Sequence, residues 1–421
     1  MAILSIPRLI AELAARDPGR PAITFEGRTI TRQELDAASN RLARAYAQAG
    51  VGQDGMVSIA LPNGIEFYLA CLAAWKLGAT PQPVSSRLPR PELEAIVELA
   101  NPALVVGAPA GWFPGRPQLP AGYEPPPGFS DAPLPDRVAR AWKAPTSGGS
   151  TGRPKIIVSG APAEFDTDEL PLEMLPDRTQ LVPGPLYHNG PFIFSMRGLL
   201  LGHHLVVLPR FDAQRALTLL AQHRVDWVNL VPTMMHRIWR LGPAEHARHD
   251  LSALRVLLHL AAPCPPWLKE QWIAWLGPER VFELYGGTEG TGVTWITGTE
   301  WLSHRGSVGK IMEGYQMRVL GPDGAVLPPG EVGEVFLRPD TGPGTTYRYI
   351  GATPKAREGW ESLGDLGWMD EEGYLYLTDR HTDMILCGGA NVYPAEVEAA
   401  LDSHPAVRSS AVIGLPDEDL G

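Results

Sequence analysis

Thr146-Ser147-Gly148-Gly149-Ser150-Thr151-Gly152-Arg153-Pro154-Lys155 holds three glycines, a run of hydroxyls and a lysine within ten residues. Glycines let backbone N–H groups approach an anion closely, and hydroxyls add short donors. That is the composition of a loop wrapped around polyphosphate. It is not the Walker A arrangement, because no Lys-Ser or Lys-Thr follows a second glycine at the required spacing. Taken alone, the stretch also reads as an ordinary Gly/Ser turn. The surrounding chain has to decide between the two.

A chain of 421 residues is too long for one core, so two or three domains are expected. Hydrophobic content of 44% and charged content of 20% describe an ordinary globular chain. Lys plus Arg is 36 against 47 Asp plus Glu, a net charge of −11. An acidic surface does not attract nucleic acid or anionic membrane. A nucleotide site must then be locally positive or built from backbone dipoles. Cys71, Cys264 and Cys387 are scattered and form no CxxC, which suggests neither zinc nor a disulfide framework and fits a cytoplasmic location. The N-terminal stretch to Asp17 reads as a helix rather than a signal peptide. No apolar run reaches bilayer-spanning length.

Working outward from the glycine stretch, helices and strands alternate. Thr31-Arg32-Gln33-Glu34 is a capping box, followed by Leu35, Ala38, Leu42, Ala45 and Ala49 at helical spacing and closed by Gly50. Val57–Leu61 reads as a strand and Ile65–Leu77 as a buried helix. Strands are expected at Leu104–Val106, Leu205–Leu208, Val225–Val231, Arg255–Leu260 and Val281–Tyr285, with helices at Asp212–His223 and Pro266–Trp275. This alternation implies parallel sheets with helices on their faces, an α/β fold. Gly107–Asp136 carries nine prolines and reads as a surface excursion. After about Thr299 the pattern becomes antiparallel, with strands at Gln316–Leu320, Glu334–Leu337 and Tyr374–Leu377 and a Pro322-Asp323-Gly324 turn. From His381 a new unit begins: strand Met384–Cys387, Gly388-Gly389, helix Pro394–Leu401 and strand Ala411–Ile413.

Seven elements in order now carry a resemblance. They are Ser147–Lys155, Pro185-Leu186-Tyr187-His188, Ala261-Ala262-Pro263, Tyr285-Gly286-Gly287-Thr288-Glu289, Gly330–Glu334, Gly364-Asp365 and Asp379–Pro394. This set resembles the adenylate-forming superfamily of acyl-CoA synthetases, adenylation domains and luciferases, most closely the AMP-forming acyl-CoA synthetases. The resemblance implies a large N-terminal domain over 1–379. Within it lie two parallel-type α/β subdomains (about 1–180 and 181–298) and a small β-barrel-like one (299–379). A small α+β C-terminal domain would begin at 380–421 and be incomplete.

The implied reaction is attack of a carboxylate on the α-phosphorus of ATP, expelling pyrophosphate and leaving an acyl-adenylate, then transfer to CoA. Charge develops on the leaving phosphates, so backbone donors, a lysine and Mg²⁺ would stabilise it. The resemblance assigns Ser147, Gly148, Gly149, Ser150, Thr151, Gly152 and Lys155 to the β- and γ-phosphates, and Thr288 to the α-phosphate. Glu289 would hold Mg²⁺. The same pair also reads as a helix N-cap with an acidic first turn, which itself favours phosphate. Asp365 would accept both ribose hydroxyls, or is a turn aspartate. Arg380 would add a ribose or phosphate contact, or is a solvated charge. Tyr285 would stack on adenine with Ala262 and Pro263 opposite, and Glu283 and Gly286 complete the implied ATP-binding set; the apolar members also read as core.

The implied acyl pocket comprises His188, Phe192, Leu260, Gly287, Thr291 and Gly292. It is apolar with few charges, so a hydrophobic or aromatic acid is expected. His188 would gate it, although a lone histidine also reads as structural. Tyr187-His188-Asn189-Gly190-Pro191-Phe192 offers no aspartate for a substrate amine, which argues against an amino acid. Gly388-Gly389 resembles the segment that approaches the CoA thiol arm, or is a tight turn. A carrier-protein thiol is the alternative acceptor, and a non-catalytic nucleotide- or acyl-binding relative the alternative class. His203-His204 reads as packing or surface rather than metal.

The sequence departs from the family pattern at four places. Gly148 stands where serine or threonine is usual, Leu260 where many relatives have glycine, and Thr382 at the usual Asp/Lys hinge. Relatives also continue for most of another hundred residues, including a lysine that reaches the carboxylate. The expectation is a truncated chain that binds nucleotide and acid but adenylates little.

Overall fold

The computed structural model describes residues 3–148, 154–168, 170–380, 385–387, 390–392, 394–402, 404, 406–407 and 410–415. The chain folds into two compact units. One contains residues 1–229, 240–256 and 346–353; the other contains 230–239, 257–345 and 354–421.

The first unit is α/β, as the alternation implies. Thr80–Pro83, Met56–Ile59, Leu104–Val106 and Gln118–Leu119 form a four-stranded sheet with every pairing parallel. In a second sheet, Thr179–Val182 pairs in parallel with His204–Val207, which pairs in parallel with Pro21–Phe25. Helix Arg32–Gln48 starts at the expected box: Thr31 Oγ1 accepts from the Glu34 amide at 3.2 Å and the Glu34 carboxylate accepts from the Thr31 amide at 2.8 Å. Such caps are worth roughly 1 kcal/mol. Helix Ile65–Lys76 is buried nearly all round, through Phe67, Tyr68, Leu72 and Trp75. Buried Lys76 is satisfied by Asp36 at 2.5 Å and Asn40 at 2.6 Å. Helix Ala213–Gln222 begins one residue later than expected, because Asp212 is its N-cap and accepts from the Arg215 amide at 2.8 Å. The proline-rich excursion is tied down by Gln118–Leu119 and by buried Phe113.

A third sheet in this unit is antiparallel. Thr146–Gly148 pairs with Pro154–Ser159, which pairs with Tyr347–Ile350. Its hydrophobic side, with Ile156 and Val158 buried beside Ala100, Ala141 and Ala144, anchors the glycine stretch to the domain.

In the second unit Val256–Leu260 pairs in parallel with Val281–Gly286, and the pattern then turns antiparallel through Val293–Thr297 and Ser307–Ile311. Leu375–Arg380, Trp360–Met369, Gly333–Pro339 and Tyr315–Leu320 continue it in that spatial order. The sheet curls around Val308, Val335, Leu337 and Leu375. Strands four places apart thereby touch through Tyr285 and Asp365. Helix Pro266–Leu276 packs through buried Leu268, Trp272 and Ile273.

One expectation is corrected and one alternative reading is removed. Ala411–Ile413 is not a strand: those residues belong to no element, and Ile413 is exposed. Thr288-Glu289 does not open a helix. It occupies a turn between Val281–Gly286 and Val293–Thr297, with the Gly290 amide donating to the Gly287 carbonyl at 3.1 Å.

Candidate active site

The first unit presents two loops that the sequence singles out. In the glycine stretch, Ser147 pairs with Lys155 and Gly148 with Pro154 across the hairpin. Gly149, Ser150, Thr151 and Gly152 lie outside the described residues. Lys155 Nζ donates to the Tyr349 hydroxyl at 2.8 Å and lies 4.2 Å from the centre of that ring.

The second loop is Pro185-Leu186-Tyr187-His188. Asn63 builds it: its amide nitrogen donates to the carbonyls of Gly184 and Leu208, both at 2.9 Å, and its oxygen accepts from the Leu186 amide at 2.8 Å. One buried side chain thus fixes three backbone groups. His188 follows, at the N-terminal boundary of helix Asn189–Leu200, with its ring 4.5 Å from that of Tyr187. Desolvation holds its imidazole below the usual range, which favours the neutral form at pH 7. Lys143 Nζ donates to the Asn189 side chain at 2.8 Å, placing a buried cation at the same helix end. Phe192, expected in the acyl pocket, is a core residue: it is fully buried, with its ring against Phe67, Trp75 and Trp142.

The second unit brings together most of the other candidates. Tyr285 donates its hydroxyl to Asp365 at 2.6 Å, joining two residues eighty positions apart. Leu260 ends its strand, and Ala261, Ala262 and Pro263 follow it exposed to solvent. Ala261 has φ 75°, a left-handed conformation that a residue with a β-carbon adopts only under constraint. Close backbone packing requires Gly286, whereas Gly287 and Gly292 lie against side chains. A β-carbon on Gly286 would lie 2.9 Å from the Gly292 carbonyl oxygen. One on Gly287 would lie 2.8 Å from Leu363 and 2.9 Å from the Glu289 carboxylate, and one on Gly292 2.8 Å from Leu337. Thr291 is buried, its hydroxyl without a hydrogen-bond partner among the described residues. Glu289 is buried on the turn beside Thr288. Arg380 pairs with Asp365 in backbone register. Thr382, Gly388 and Gly389 lie outside the described residues.

Glu283, expected among the ATP-binding residues, is committed elsewhere. Its carboxylate accepts from Lys269 Nζ at 2.6 Å, with both side chains buried. His259 Nε2 lies 3.6 Å from the same oxygen. Burial pushes the Glu283 carboxyl up while Lys269 draws it down, and burial with the Lys269 charge pushes His259 well below its usual range. His203 and His204 each reach a polar group elsewhere in the first unit. The first contacts the Leu175 carbonyl at 2.8 Å and the second the Thr24 hydroxyl at 2.7 Å.

The residues fit Mg²⁺ in one particular way. Among the described residues no group of three or more acidic, histidine or cysteine side chains could form a protein cage. Mg²⁺ is commonly held by one or two carboxylates together with substrate phosphates, and Glu289 supplies one carboxylate on a glycine-rich turn. No helix among the described residues is long and apolar enough to cross a membrane.

Sequence reasoning missed Asn63, Lys143 and Tyr349. Asn63 left a faint signal, an asparagine between a strand and a helix in Leu61-Pro62-Asn63-Gly64. Tyr349 left none, since its partner is 194 positions away.

Comparison with known proteins places the chain in a family. The family model described as AMP-binding enzyme matches residues 10–137 and 144–350. The long-chain-fatty-acid–CoA ligase of Mycobacterium tuberculosis is 31% identical over 420 residues, covering 93% of this chain and 81% of the relative. A feruloyl-CoA synthase of Amycolatopsis is 31% identical over 97% of this chain and 85% of its own length. The o-succinylbenzoate CoA synthetase of Bacillus subtilis, solved with its acyl-adenylate intermediate, superposes with a TM-score of 0.86 at 25% identity, covering 100% of this chain and 87% of that one.

Proposed function

Because the chain belongs to the family of AMP-binding enzymes, we propose that it is an ATP-dependent acid–thiol ligase that activates a hydrophobic or aromatic carboxylic acid and passes the acyl group to CoA. The observation that carries this reading is the Tyr285–Asp365 hydrogen bond. The resemblance gives these two residues to the base and the ribose of one nucleotide, and they are in contact.

In this reading Asp365 accepts the ribose hydroxyls while Tyr285 orients its carboxylate and lends its ring to the adenine. Thr288 donates to the α-phosphate from the Gly287–Gly290 turn, where charge builds as the carboxylate oxygen bonds to phosphorus and pyrophosphate departs. Lys155 and the glycine stretch take the leaving phosphates. Bound Mg²⁺ would supply charge neutralisation. Glu289 would hold it. His188, neutral at pH 7, orients the acid without offering it a charge. Gly287 and Gly292, packed against Leu363 and Leu337, add no polar side chain of their own to the wall. The names of the relatives support fatty and aryl acids alike as the substrate class.

Pyrophosphate exchange by the full-length protein across a panel of fatty and aryl acids, followed by thioester detection with CoA and with a carrier-protein thiol, tests this. Exchange dependent on an apolar acid and thioester on CoA are expected. Exchange with no acid in the panel would remove the ligase reading, and thioester on the carrier alone would replace the acceptor.

A further inference from the structure

Lys155 is flanked by a residue that nothing in its local sequence announces. Strand Tyr347–Ile350 belongs to the first unit although the chain on either side of 346–353 belongs to the second. It pairs with Pro154–Ser159 with Tyr349 opposite Ile157. Side chains two residues apart on a strand share a face, so Tyr349 is the diagonal neighbour of Lys155. The contact is made twice over: the phenol oxygen is 2.8 Å from Nζ, and the ring centre is 4.2 Å from it. Tyr349 is itself braced, its ring edge-to-face with buried Tyr347 at 4.8 Å.

These contacts are not what docks the strand. Four register pairs attach it to Pro154–Ser159, and Ile350 packs on the cluster of Ala100, Ala144, Ile156 and Val158. What Tyr349 adds acts on Lys155. A lysine stem has four rotatable carbons, and a hydrogen bond with an aromatic face beneath restricts where its charge can point. A phenol is a neutral partner, so it fixes direction without cancelling charge. An ammonium has three N–H donors, so donation to Tyr349 is compatible with donation to phosphate oxygens.

We propose that Tyr349 is a positioning residue for Lys155: its hydroxyl and ring hold the ammonium at the base of the glycine hairpin, directed to the β- and γ-phosphates of ATP. This rests on the reading that Lys155 serves phosphate. Tyr349 then sets affinity for MgATP and leaves affinity for the acid alone.

The test is a double-mutant cycle on the full chain with Tyr349→Phe, Lys155→Ala and both together. MgATP binding is read by calorimetry, ATP and acid KM by pyrophosphate exchange, and folding by thermal melting. Tyr349→Phe keeps the ring and removes one hydrogen bond, so MgATP affinity is expected to fall about five-fold, with acid KM and the melt unchanged. Tyr349→Ala should lose more. On the Lys155→Ala background, Tyr349→Phe should change MgATP affinity by less than about two-fold. A full five-fold loss on that background, a matching rise in acid KM, or no effect on the wild-type background overturns the proposal. A wild type that binds MgATP but exchanges no pyrophosphate refutes the ligase reading and leaves the calorimetric cycle to decide on Tyr349. A wild type that binds no MgATP overturns both.

Discussion

Lys155 and Lys269 have the same chemistry and nearly opposite settings. Each donates one short hydrogen bond and each has an aromatic ring nearby, Tyr349 at 4.2 Å and Trp301 at 4.9 Å. Lys155 lies half-buried on a hairpin strand and one of its partners is a phenol. Lys269 is fully buried and its partner is the Glu283 carboxylate. A carboxylate cancels the charge it binds, and inside a protein it must, because removing an isolated ammonium from water costs several kcal/mol. A phenol only aims the charge. The partner therefore separates a lysine that serves the interior of the second unit from one that can serve an anion.

The largest effect that tests this contrast is on stability. Glu283→Gln leaves the Lys269 ammonium buried without its carboxylate and should destabilise the protein by about 3–5 kcal/mol in urea unfolding. Replacing both, as Lys269→Met with Glu283→Leu, should recover most of that loss. A single substitution that unfolds like the wild type would show that the pair is not held as charges. Next comes Lys155→Ala. It should leave the urea midpoint unchanged and lower pyrophosphate exchange about 10²–10³-fold, as removing one preorganised donor does elsewhere. Comparable losses in both measurements would erase the distinction between the two lysines.

The smallest effect sharpens the comparison with a buried group whose hydrogen-bond partner is a carbonyl. His203 donates to the Leu175 carbonyl, and burial lowers its pKa from 6.5 to about 4. The folded protein then binds fewer protons than the unfolded one between those values. Stability is full above pH 6.5 and falls as pH drops toward 4, by at most about 1.4 kcal/mol per pH unit from this residue. His203→Gln should flatten the fall in urea midpoint between pH 7.5 and 5. An unaltered fall would assign it to other groups, His204 first, which burial also lowers to about 4.

The sequence was most legible where local rules act alone. The Thr31–Glu34 box and strand Leu104–Val106 needed only side-chain geometry and periodicity. Helix Asn189–Leu200 was not read, because Gly190-Pro191 imitates a turn and Phe192, Phe194 and Met196 leave no polar stripe to reveal a period. Thr288-Glu289 imitates a helix start because a cap and a hairpin turn favour the same residue types. The pairing of Glu283 with Lys269 was not legible, because a carboxylate two residues before Tyr285 carries no mark of the buried lysine on a neighbouring helix. The motif residues were legible as a set, but the residues that aim them, Asn63 and Tyr349, act on partners more than a hundred positions away in the chain.

Strand Tyr347–Ile350 also constrains the order of events during synthesis. The glycine hairpin is made near residue 150, but its third strand is made some two hundred residues later. Until then Pro154–Ser159 has an open edge, with unpaired backbone groups and the apolar side chains of Ile156 and Val158 beside them. Such an edge is a template for another strand. A nascent chain, or a fragment cut before residue 346, carries the whole glycine stretch without the strand that completes its sheet. The hairpin and Lys155 are thus early in the gene and late in assembly, and the interval between is when this chain is most exposed to pairing with the wrong strand.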